Sequence, residues 1–195
     1  MELEINIPTS LSEITLGDFQ MFWESEKTDV DKLHYLLKLS PSTINGLKRK
    51  YFVELIETID RLLDSEVEFT QFVTLAGVDF GFIPNLEDLT QGEFIDIDEN
   101  ISDISTIHTA CAVLFRQIKE RDGVKYSVVE YNPEYGFDEV MKHLPLNVAL
   151  GAKVFFWALG KELLKIIPSY LEEEAEEMNT PQNINSQSDG VGMEV

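Results

Sequence analysis

The chain has 195 residues, 44% of them hydrophobic and 10% aromatic, which is enough for one substantial core, and 36 acidic against 15 basic side chains leave a formal charge of −21. That balance repels phosphate backbones and anionic lipid surfaces, so it argues against direct nucleic acid binding and leaves solubility, or selection of a basic partner, as the use of the charge. The single cysteine, Cys111, has no partner for an internal disulfide, the opening MELEINIP lacks a basic start and an apolar signal core, and the longest apolar run, 154–160, is far short of the ~20 residues that span a bilayer.

Taken in order, residues 1–8 alternate Leu3, Ile5 and Ile7 with polar residues, a period of two that predicts a short edge strand stopped by Pro8. Thr15 opens the first helix, with Asp18 placed to return the capping bond and Ile14 and Phe19 at the staple positions. A polar joint over 24–31 precedes Val30, Leu33, Leu36 and Leu37 at helical spacing. Ser40-Pro41 then starts a short helix that Asn45-Gly46 ends. From Lys48 to Asp64 the apolar residues Phe52, Leu55, Ile56, Ile59, Leu62 and Leu63 form the stripe of a long amphipathic helix. The basic triplet Lys48, Arg49 and Lys50 at its start reads as a solvated helix end.

FTQFVTL and VDFGFI are β-prone runs joined by Ala76-Gly77 and closed by Pro84, which predicts a hairpin. Thr90 and Glu93 repeat the capping device, with Leu89 and Phe94 as the staple. The pattern T-x-G-[DE]-F thus occurs twice, as two separately chosen caps rather than a duplicated unit. The carboxylates Asp96, Asp98, Glu99 and Asp103 fail the calcium-loop test, since Ile101 stands where the sharp turn needs glycine and Ile107 where a bidentate glutamate belongs. Ile104, Ile107, Cys111, Leu114 and Ile118 predict one core helix over 104–118, on which Arg116 requires a structural ion pair with a nearby carboxylate.

His108 and Cys111, three apart on that helix, are the nearest approach to a nucleophile and base, and core packing is the reading preferred for them. Asp122-Gly123 turns into a third β element, 125–131, and Phe137 to Leu144 forms a short helix before Pro145. The last helix, Leu146 to Ile167, is apolar nearly all round. One face is expected to be core; the outer face, with Phe156, Trp157 and Leu164, is the candidate protein-binding surface. The competing expectation, and the commoner outcome for such a face, is complete burial under the hairpin and the 104–118 helix. Gly151, Ala152, Ala158 and Gly160 permit close approach of another backbone.

The fold expected is therefore α+β and mainly helical, a helical bundle packed on a small antiparallel sheet built around the hairpin. A single globular domain over 1–171 is followed by an acidic, polar tail over 172–195 that is expected to be disordered; it holds seven acidic and no basic residues. No phosphate loop, dinucleotide fingerprint, nucleophile elbow, zinc signature or C-x-x-C is present, so no catalytic residue, metal or cofactor is assigned.

FGFIPNL, LTQGEFIDID, AVLFRQI, the strand from Tyr126 to Tyr131, LPLNVALGAKVFFWALGKELL and the early TLGDFQMF together resemble a family of small acidic proteins of tailed bacteriophages. The arrangement of Leu33 to Leu39, a short capped turn and a long acidic helix is similar to tail assembly chaperones. The resemblance implies a non-enzymatic morphogenesis factor in the host cytoplasm that binds the tape-measure protein, with no direct nucleic acid or membrane contact. A structural head or tail component is the alternative it implies. An acidic DNA mimic directed at a host protein is a third reading, resting on charge alone.

Overall fold

Turn chemistry sets the sheet. The computed structural model describes residues 5–159. Within them β1 (Phe72–Leu75) and β2 (Val78–Phe82) pair antiparallel across the two-residue turn Ala76-Gly77. Both turn residues lie at positive φ, 49° and 81°, the twist that lets two strands reverse without splaying. A second hairpin follows the same logic at Gly123 (φ 60°), joining β3 (Phe115–Asp122) to β4 (Lys125–Val128). β2 and β3 pair antiparallel, with Phe82 opposite Phe115, so the sheet order is β1-β2-β3-β4.

Helices supply the rest: α1 (Leu16–Glu24), α2 (Asp29–Leu36), α3 (Pro41–Gly46), α4 (Arg49–Leu63), α5 (Gln91–Asn100), α6 (Ile107–Leu114), α7 (Phe137–Met141) and α8 over residues 146–159. This is the α+β, mainly helical architecture expected, with an antiparallel sheet built from hairpins. The described residues up to Phe156 form one compact unit and a second begins at Trp157. The expected boundary at residue 171, the tail over 172–195 and the far half of the last helix lie outside the described residues.

Caps fix where the helices start. Thr15, Thr28, Ser40 and Thr90 each accept a bond from the backbone three residues on. At Thr28 and Thr90 the acidic residue at that position returns the bond; the box at Thr28 with Asp31 was not read from the sequence. At Thr15 the expected return is replaced by an ion pair of Asp18 with Lys38, 3.0 Å. The first N–H groups of α1 are met from across the fold: Leu16 donates to the Leu144 carbonyl (2.8 Å) and Gly17 to that of Lys142 (2.7 Å), while Leu146 donates to Ile14 (2.8 Å). These bonds pin α1 to the start of α8.

Two expectations fail. Of the strand expected over 1–8, residues 5–8 form none, and residues 1–4 lie outside the described residues. The helix expected over 104–118 ends at Leu114, and Phe115 enters β3 directly at φ −104°, ψ 113°. FRQIKERD has the side chains of a helix. Its ladder bonds to β2 on one side and β4 on the other outweigh that intrinsic preference. The third β element, expected over 125–131, is the strand Lys125–Val128, and its ladder joins that of the first hairpin through β3.

Two glycines serve packing. A Cβ on Gly81 would meet the Tyr126 ring at 2.7 Å; that ring crosses the strand there, packs edge-on against Phe72 (centroids 4.9 Å apart) and gives its hydroxyl proton to the Phe82 carbonyl. In α8, a Cβ on Gly151 would lie 2.5 Å from the Glu68 carbonyl oxygen, a backbone atom with little freedom to retreat. The small residue expected to admit another backbone admits this chain's own. Gly151→Ala should therefore destabilise by about 1–3 kcal/mol in urea unfolding, the usual cost of overpacking. Gly92→Ala, with open space around it, should leave stability unchanged or raise it.

Candidate functional site

Cys111 is fully buried, and burial pushes its thiol up to about 12, which keeps it a packed, protonated side chain. His108 is engaged elsewhere. Gln20, buried on α1, reaches the start of α6 with its amide nitrogen 2.7 Å from the Ile104 carbonyl, 3.2 Å from that of Ser105 and 2.9 Å from His108 Nδ1. The two carbonyls accept only, so the Gln20 amide must present nitrogen to them, and His108 Nδ1 must then accept.

That tautomer decides a second question. His108, Asp138 and Glu139 bring possible ligand atoms within 4.8 Å of one another. An ion there needs an imidazole lone pair, yet Nδ1 is committed to Gln20 and Nε2 consequently carries the hydrogen. Glu139 is also paired with Lys142 at 2.7 Å. The arrangement suits a neutral imidazole beside two carboxylates rather than a metal ligand set.

The Arg116 ion pair expected from the sequence is present, and its partner is Glu93. Nη2 of Arg116 lies 2.7 Å from Glu93 Oε1, with both side chains about seven-eighths buried. Glu93 Oε2 accepts from the Thr90 N–H at 2.7 Å, and Arg116 Nε donates to the Val113 carbonyl at 2.9 Å. One carboxylate thus completes the cap of α5 and holds the first residues of β3. Beside it, burial is the leading cause raising the Tyr131 phenol above its ordinary range, with the Asp96 carboxylate adding to it.

A hollow of ≈ 570 Å³ beside Tyr131, lined also by Lys119, Asn132 and Tyr135, brings no base and nucleophile together. Another of ≈ 560 Å³ lies between Phe19, Trp23, Ile104 and Leu150.

The predicted protein-binding residues separate. Phe156 is partly buried against the core, with its ring centroid 6.4 Å from that of Phe94. Trp157 is 48% exposed, and Leu164 lies outside the described residues. The inward side of α8 carries Val148, Ala149 and Ala152, and Phe155 stacks on Phe69 (4.4 Å) and meets Phe82 edge-on (5.4 Å). Burial of the helix is not complete, because Val154 is 54% exposed. Sequence reasoning missed Phe94 and Ile95. Phe94 was assigned to the staple of α5, yet the two are 46% and 44% exposed. The signal was available: adjacent positions on a helix diverge by about 100°, so Phe94, Ile95 and Ile97 do not fit one narrow buried stripe.

Two outcomes are expected. Arg116→Met should cost on the order of 3–5 kcal/mol in denaturant unfolding by leaving the Glu93 carboxylate buried and unpaired, and adding Glu93→Leu should recover part of that loss. Burial, then the Lys142 ammonium, holds His108 below its ordinary 6.5, against the pull of nearby carboxylates. The unfolded chain therefore takes up this proton first on acidification: the contribution is fully present above about pH 6.5 and is lost as pH falls below it. His108→Gln should flatten that part of the stability–pH curve relative to the unaltered chain. Compared with protein-family models, curated proteins and solved structures, the chain matches none.

Proposed function

We propose that this protein is a non-enzymatic morphogenesis factor of a tailed bacteriophage, acting in the host cytoplasm as a tail assembly chaperone that covers apolar helical segments of the tape-measure protein. The observation that carries the reading is apolar surface left outward on α8, where Val154 is about half exposed while Val148, Ala149 and Ala152 are buried. Trp157, at the start of the second unit, is also about half exposed, and large aromatic side chains of that kind dominate interface energy. The formal charge of −21 keeps such a surface soluble until its partner arrives. Buried Cys111 and the Gln20-locked His108 are suited to packing rather than to catalysis.

Co-expression with the tape-measure protein should yield a soluble complex, and the chain should be missing from purified virions. Stoichiometric copies in the particle would instead establish a structural head or tail component. Trp157→Ala should weaken the complex while shifting the melting temperature of the free protein by no more than a few degrees. Unfolding of the free variant would remove Trp157 from the binding surface.

A further inference from the structure

We propose that the outward face of α5, Phe94 and Ile95 with Phe156 beside them, seats an amphipathic polypeptide segment whose apolar anchors are flanked by lysines or arginines. The inference rests on the chaperone reading and names the chemistry of the segment held.

Phe94 and Ile95 are nearly half exposed on a helix whose inward residue, Ile97, is fully buried. One turn further along the same exposed surface stand Asp98 and Glu99, placed by the i+3 and i+4 spacing next to Phe94 and Ile95. The apolar spot thus has a carboxylate border. Along the sequence the charge is as one-sided: from residue 62 to 115 the chain has eleven carboxylates and no lysine or arginine, although α8 brings Lys153 Nζ to 2.7 Å from the Ser102 carbonyl just past the end of α5. The flanking cation, Arg116, is already matched to Glu93 at 2.7 Å.

These charges choose the occupant. A second copy of the chain would bring the same carboxylates against themselves, and anionic lipid or nucleic acid would be repelled. A polypeptide with cations beside its apolar side chains gains both the apolar contact and the ion pairing. The platform is also held in place before binding. The Thr90–Glu93 capping box and the Glu93–Arg116 pair fix the first turn of α5, the turn that carries Phe94, so little ordering is left to offset the contact.

Synthetic helical peptides of equal length test this on the full chain. One carries leucines on a single face with lysines on the rest, the second replaces every lysine with glutamate, and the third scrambles the first so that no apolar face remains. Calorimetric titration should detect the first peptide only. Phe94→Ala/Ile95→Ala should weaken it by about tenfold or more, with unchanged circular dichroism, and Asp98→Asn/Glu99→Gln should reduce the salt dependence. Equal binding of the scrambled peptide, or undiminished binding to the Phe94/Ile95 double variant, would overturn the proposal. Co-expression of that double variant with the tape-measure protein separates the two readings. A complex that survives it keeps the chaperone and discards this surface, whereas leucine–lysine peptide binding without any tape-measure complex keeps the surface and discards the chaperone.

Discussion

The Glu93–Arg116 ion pair is the interaction on which the middle of the molecule depends. Three elements meet at it: the first turn of α5 through the capping box with Thr90, the end of α6 through the bond from Arg116 to Val113, and the start of β3 on which Arg116 stands. α6 passes into β3 without a loop, so the chain needs something to hold that junction. A bare helix end leaves carbonyls without partners, and Arg116 supplies one of the missing donors. The same pair sets the orientation of α5, and with it the outward placing of Phe94 and Ile95.

Much of this was legible in the residues. Ala76-Gly77, Ser40-Pro41, Thr15 and the Thr90–Glu93 box fixed turns and helix starts by local chemistry, which needs no knowledge of the fold. The alternation of α4 likewise predicted Leu55, Ile56 and Ile59 as core, and all three are buried. The demand for an ion partner at Arg116 was legible from its place as the one charge in an apolar run, although the partner's identity was not. What escaped were features decided by distant neighbours. FRQIKERD favours a helix in isolation and becomes a strand because β2 and β4 lie on either side of it. Asp18 could have returned its cap bond, but Lys38 arrives from the far end of α2.

The candidate site shows the same division. Aromatic residues on an apolar-all-round helix pointed to α8, and the helix does keep Val154 and Trp157 partly outside. Phe94 has a local task in the staple pattern of α5, which masks the spacing that leaves it and Ile95 off the stripe of buried Ile97. The interior polar groups follow another rule. Gln20 is held by two carbonyls and a histidine, and the resulting tautomer turns a possible ligand cluster into a packing device. The buried polar groups of this core thus act in docking its helices.

The central claim is that an acidic domain holds apolar segments of a partner on an outward aromatic surface. Hydroxyl-radical footprinting of the free chain and of its complex with the tape-measure protein tests it most directly, since oxidation reports solvent access at individual aromatic side chains. The account predicts that Phe94 and Trp157 lose reactivity in the complex while Tyr135, 60% exposed at the end of the turn Pro133–Tyr135, keeps its own. Unchanged reactivity at Phe94 and Trp157, with protection confined to other side chains, would contradict it.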